Sequence, residues 1–204
     1  MPIITLIEPQ KLKRRVNVYL DGKFGFGLDL ENFVKLGLKV GQELSEEKIV
    51  EITKKAEFQK ALDGLLVFST IRPRSEKEIQ DWMTRKKINE GSKAGLLAKL
   101  KNLDLLDDEK FAKWWVEQRL AFKSKSLKDL NYELRIKGIS QDVISIVLSE
   151  TEVDEAASAK KLIEKNMYKW SKLPKRIANQ KMNLFLARKG FRWDAIKKTL
   201  GNRD

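Results

Sequence analysis

Histidine and cysteine are both absent from the 204 residues. That leaves no thiolate nucleophile, no disulfide, no imidazole base and none of the His/Cys sets that hold zinc. Carboxylates, lysines, hydroxyls and a carboxylate-bound magnesium remain. The run Asp107-Asp108-Glu109 invites a metal-nuclease reading. Consecutive carboxylates at a helix start point in different directions, however, and each is favoured there by the helix dipole. No second acidic cluster with glycine-bounded turns accompanies them, so no metal, cofactor or catalytic residue is expected. GKFGFG, residues 22–27, has the glycines of a phosphate loop. It lacks the Lys-Ser/Thr and the strand-then-helix setting such a loop needs, and reads as a tight, glycine-lined hairpin face.

What remains is charge. Net charge is +13, and residues 153–204 hold fourteen basic and five acidic side chains, net +9. Such a balance points to a polyanionic or acidic partner. The candidate contacts are Arg72, Arg74, Arg85, Lys86, Lys87, Arg119, Lys123, Lys125, Lys128, Arg135 and Lys137, then Lys175, Arg176, Arg188, Lys189, Arg192, Lys197 and Lys198. The competing reading is that half of these are solvated faces. Trp114 and Trp115 are adjacent and cannot both face one core; Trp115 follows the apolar stripe of Phe111, and Trp114 goes to a seam between repeats. Base stacking by Trp114, Trp170 or Trp193 is the second reading of the tryptophans.

These side chains must be carried by elements of two kinds. Val16, Val18 and Leu20 alternate with polar residues, Asp21-Gly22 follows, and Phe24, Phe26 and Leu28 alternate again. An Asp-Gly pair between alternating runs predicts a β-hairpin with a type I′ turn, and ITLIE adds a third strand. LENFVKLG is a short helical turn, and Ser45 caps the next helix. From Thr53 to Arg203 nothing reads as a strand.

SEKEIQDWMTRKKI (75–88) and SLKDLNYELRIKGI (126–139) are the same helix written twice. Ser75 with Glu78 is a capping box, and Ile79 and Met83 lie four apart on one face. Ser126, Leu130 and Leu134 take the same places. A weaker third copy carries Met182, Leu186, Lys189, Gly190 and Phe191 around Ala178, which cannot cap; Pro174 opens that helix instead. Helices at about 54–69, 108–122 and 152–168 precede the three copies. Asp107 or Asp108 caps the second of these, and Thr151 with Asp154 the third. A short helix follows each copy. The expected organisation is an N-terminal hairpin region at 1–52 and three-helix repeats at 53–106, 107–151 and 152–204. The fold class is mainly α: three tandem, helix-turn-helix-like units stacked into an elongated, curved array.

RPRSEKEI (72–79), LLDDEKFAKWWVEQR (105–119), LRIKGI (134–139) and the hairpin RVNVYLDGKFGFGLD together resemble the RecX regulatory family. The resemblance implies three tandem three-helix repeats and docking on the RecA–DNA filament. It also implies inhibition of filament growth, ATP hydrolysis and strand exchange, and hence modulation of recombination and DNA repair. On it rest the expected partners: the RecA filament and weakly held, sequence-tolerant single- or double-stranded DNA. The family usually has leucine at the place of Met83 and glycine at that of Lys87, and NEGSKAG (89–95) is read as a lengthened turn. Arg72, Arg74 and Arg119 match family motifs and could equally bond a carboxylate between repeats or meet the partner. A helix-turn-helix protein acting directly on DNA is the alternative, with Gln141 and Arg192 as a thin base-reading set. A monomer in the cytoplasm is expected, with no membrane span; MPIITLIEPQ lacks the form of a signal peptide.

Overall fold

The structure, a computed structural model, describes residues 1–10, 14–151 and 153–201. The expected start of the third repeat at Glu152 and the residues from 202 onward lie outside these. Two compact units divide the chain: Met1–Ile71 with Met83–Asn102, and Arg72–Trp82 with Leu103–Asp204.

In the first unit, β1 (Ile4–Pro9), β2 (Arg15–Leu20) and β3 (Lys23–Asp29) form an antiparallel sheet in that order. Asp21 and Gly22 both take positive φ, 47° and 78°, as a type I′ turn requires. The turn sets a register that pairs Val16 with Leu28 and Val18 with Phe26. All four are buried on one face, where Leu38, Leu44, Ile52 and Ala56 close the core. Gly25 is needed for space, since a Cβ there would lie 2.8 Å from Leu20 Cδ1. α1 (Leu30–Leu36) is capped by Asp29.

α2 (Glu46–Thr70) starts at the Ser45 cap and runs unbroken for 25 residues. The two helices expected around Glu46 and from about 54 are thus one, and residue 52 lies inside it. No proline interrupts that stretch, and Ile52 and Ala56 are held by the sheet core. α3 is Glu76–Arg85 and α4 is Glu90–Asn102. The NEGSKAG segment is therefore the first turns of α4, not a longer loop. Asn89 Oδ1 accepts from Gly91 N at its start, and Gly95 leaves room for the Phe58 ring, 3.2 Å from where a Cβ would stand.

The second unit holds two further three-helix sets. α5 (Asp108–Lys123), α6 (Leu127–Ile136) and α7 (Gln141–Glu150) close on Phe111, Val116, Leu130, Leu134, Ile144 and Val147. α8 (Glu155–Asn166), α9 (Lys175–Arg188) and α10 (Trp193–Leu200) close on Ile163, Trp170, Met182, Leu186 and Ile196, with a 3-10 turn at Met167–Lys169. Removing each such leucine or isoleucine from water contributes roughly 2 kcal/mol. Asp107 caps α5, and Pro174 opens α9. Asp154 alone caps α8; Thr151 instead ends α7, its hydroxyl donating to Val147 O.

The repeated serines do more than cap. Ser75 Oγ accepts from Glu78 N at 3.2 Å and donates to Lys137 O, the last carbonyl region of α6, at 2.8 Å. Ser126 Oγ accepts from Asp129 N at 3.2 Å and donates to Lys189 O, at the end of α9, at 2.8 Å. The next backbone N–H is taken by a carboxylate in both places: Glu76 N donates to Asp108 Oδ1 and Leu127 N to Glu155 Oε1, each at 2.8 Å. Each junction thus satisfies donors at one helix start and an acceptor at another helix end. Gly138 and Gly190 stand beside these carbonyls with φ of 83° and 79°. A Cβ on Gly138 would lie 2.7 Å from Lys77 Cβ.

Ser126→Ala loses both the cap and the buried junction bond, whereas Ser45→Ala loses a cap and a bond to the exposed Glu47 carboxylate, with no junction. The expected costs in urea unfolding are about 2 and about 1 kcal/mol respectively. Equal costs would mean that the Ser126–Lys189 bond adds nothing to stability.

Candidate docking surface

The cations singled out from the sequence fall into two classes once placed. The first class is used internally. Arg72 makes a two-pronged pair with Glu78, at 2.9 and 3.0 Å, and lies 5.6 Å from the Trp114 ring centre. Lys137 Nζ reaches the same Glu78 at 2.6 Å. Arg119 Nε and Trp115 Nε1 both donate to Glu133 Oε2, at 2.7 and 3.0 Å, and Lys125 meets Glu133 Oε1 at 2.9 Å. Trp115 carries the Arg119 guanidinium 4.0 Å and the Lys137 ammonium 4.8 Å from its ring centre. Trp114 and Trp115 are half-buried against Phe111, so the seam expected for Trp114 exists, with Arg72 as its partner.

These contacts set the charge states. Burial pushes the Glu78 and Glu133 carboxyls up, but the hydrogen bonds and charges of their cationic partners outweigh it and hold both below the usual carboxylate range. Burial likewise lowers Lys125, and Glu133 and Asp129 reverse that and raise it. Arg74 is half-buried; burial and then the neighbouring Arg72 charge lower it.

The second class faces water. Arg85, Lys86 and Lys87 are exposed at and after the end of α3, in the first unit. Lys87 takes φ of 55° at the place where Gly138 and Gly190 stand in the other sets, so the positive-φ turn is kept without glycine. In the second unit Lys123, Lys128, Arg135, Lys175, Arg176, Arg188, Lys189, Lys197 and Lys198 are exposed, and among the described residues none pairs with a carboxylate. Arg192 is also exposed and sits 3.8 Å from Asp194. Trp193 is 61% exposed, whereas Trp170 is a core residue. Sequence reasoning did not separate these classes, because the cations that meet Glu78 and Glu133 lie outside the helices that carry those carboxylates.

Chemically, such a surface can hold anionic groups by charge and hydrogen bonding. Among the described residues no three His, Cys, Asp or Glu side chains gather to hold a metal. Asp107 and Asp108 are consumed by the α5 cap and the Glu76 junction. α7, the second helix of the turn at Lys137–Ser140, opens with Gln141 and Asp142. Gln141 bonds Ser145, and the Asp142 carboxylate opposes close approach of a phosphate backbone. Among the described residues no helix is long and apolar enough to cross a membrane.

The chain is similar to proteins of one family along its whole length. Residues 2–45 match the regulatory protein RecX N-terminal domain, residues 107–148 the second RecX three-helix domain and residues 152–200 the third. The regulatory protein RecX of Bacillus licheniformis is 35% identical over 206 residues, covering 100% of this chain and 78% of its own. That of Clostridium perfringens is 36% identical over 195 residues, covering 94% and 91%. A crystal structure of regulatory protein RecX superposes with a TM-score of 0.72 at 29% identity over 98% of both chains. The RecX of Lactobacillus salivarius gives 0.62 at 25% identity over 71% of this chain and 94% of that one.

A depressed folded-state carboxylate pKa contributes stability that is complete above the unfolded value, about 4.3, and is lost as pH falls through the folded value. Unfolding free energy is therefore expected to drop as pH is lowered below about 5. Glu133→Gln should flatten that fall relative to the native chain and cost about 2 kcal/mol at pH 7 in urea titrations. An unchanged acid slope in the variant would mean that the Glu133 pairs do not stabilise the fold.

Proposed function

The chain belongs to the RecX regulatory protein family, and from that membership we propose that it is a non-enzymatic regulator that docks on a RecA–DNA filament. Docking limits filament growth, ATP hydrolysis and strand exchange, and so modulates recombination and DNA repair in the cytoplasm. The chain acts as a monomer, and its DNA contacts are weak and independent of base sequence. One observation carries the reading at the level of contacts: the singled-out cations divide into an internally paired set and, in the second unit, an exposed set that, Arg192 aside, pairs with no carboxylate among the described residues. Exposed lysines and arginines meet acidic protein surface and phosphates, which position a complex without reading bases. Each exposed pair contributes little, about 0–1 kcal/mol, and is screened by salt, so docking draws on many of them at once.

Added to filaments of a recombinase from the same organism, the native chain is expected to inhibit ATP hydrolysis well below one copy per recombinase subunit. The basis is that a blocked end stops addition of every later subunit. Charge reversal at Lys189, Lys197 and Lys198 should weaken inhibition about tenfold while circular dichroism stays native, and raised salt should weaken the native chain likewise. No inhibition by the native chain at one copy per subunit would refute the reading.

A further inference from the structure

A groove of about 810 Å³ runs along α6 where the second and third three-helix sets meet in the second unit. α6 lines it with Lys128, Asn131, Tyr132 and Arg135, and Arg192 faces them from the start of α10. The four α6 positions follow the i, i+3, i+4, i+7 spacing of a single helical stripe. Every charged side chain lining the groove is cationic. Tyr132 is 65% exposed and lies one turn from Lys128 on one side and Arg135 on the other. Among the described residues, Lys128, Asn131, Tyr132 and Arg135 make no side-chain hydrogen bond or ion pair. The same helix spends Asp129 and Glu133 on Lys125 and Arg119, on another face.

We propose that this groove binds single-stranded nucleic acid, with a base stacked on Tyr132 and phosphates held by Lys128, Arg135 and Arg192. The proposal deepens the DNA contact of the preceding reading and rests on it. A ring exposed to water and flanked by cations is the arrangement that holds unstacked bases without choosing among them, because every base has a π-face. Duplex gives the ring nothing, since its base faces are already covered. From Lys128 to Arg135 the helix rises about 10 Å, with Tyr132 between them, so the two cations can meet phosphates on either side of a stacked nucleotide. The unused amide of Asn131 both donates and accepts, as base edges do. An acidic polypeptide could use the cations but would leave the tyrosine face without a role.

The test is fluorescence anisotropy of the full chain with a labelled short oligothymidylate, an abasic strand of equal length and a duplex. The native chain is expected to bind the oligothymidylate more tightly than either control. Tyr132→Ala should lose about tenfold on the oligothymidylate and nothing on the abasic strand, and Tyr132→Phe should keep native affinity. Lys128→Ala and Arg135→Ala should each lower the slope of log affinity against log salt by about 0.7. Native affinity in Tyr132→Ala, or an equal loss on base-bearing and abasic strands, would overturn the proposal. So would competition by poly-glutamate with no preference for bases, which would assign the groove to an acidic polypeptide. No recombinase is present in this assay. Failure of the Tyr132 variants therefore removes the groove and leaves filament docking standing, while failure of the native chain to bind any strand removes the DNA contact from the reading as well.

Discussion

The helical part of the molecule depends on what happens where one helix start meets another helix end. A helix start leaves N–H groups unsatisfied and a helix end leaves carbonyls unsatisfied, and each is expensive when removed from water. The hydroxyl of a buried serine answers both, accepting from its own helix and donating to a carbonyl of the next set. Ser75 and Ser126 are fully buried and do this with the same geometry, at 2.8 Å to Lys137 O and to Lys189 O. Alanine at these sites would strand a carbonyl. The glycine after each carbonyl follows from the same contact, because the approaching helix leaves no space for a Cβ at Gly138.

The third set departs from this pattern: the position equivalent to Ser126 is Ala178, which has no hydroxyl to bridge to a carbonyl. α9 begins one turn earlier, at Lys175, and buries Ala178 inside the helix. Lys87 replaces glycine in the first set and still takes φ of 55°. A lysine in that conformation carries a strain that glycine does not. It is exposed, whereas Gly138 is closely approached by Lys77.

Much of the fold was legible because it rests on local rules. The Asp21-Gly22 turn, the alternation of Val16 and Val18 against Phe26 and Leu28, and the serine-led helices with apolar residues four apart each carry their own cause. What was not legible depended on contacts far apart in sequence. Whether α2 continued through residue 52 was decided by Ile52 and Ala56 packing on the sheet. NEGSKAG looks like a turn from its glycines, yet Gly95 is in a helix because the Phe58 ring lies against it. The candidate surface was legible only as a pool of cations. Arg72 and Lys137 are drawn to one carboxylate across 59 positions, from Glu78 to Lys137, and no periodicity within a helix reports that.

The division of the cations is therefore the centre of the account: one set builds the second unit, and another, exposed there and, Arg192 aside, unpaired with carboxylates among the described residues, is left for a partner. Lysine acetylation footprinting of the native chain, alone and on recombinase filaments, reads this division residue by residue. Lys128, Lys189, Lys197 and Lys198 should react readily in the free chain and become protected on the filament, while Lys125 and Lys137 stay slow in both. Unchanged reactivity of the exposed lysines on a filament that carries the protein would contradict the account.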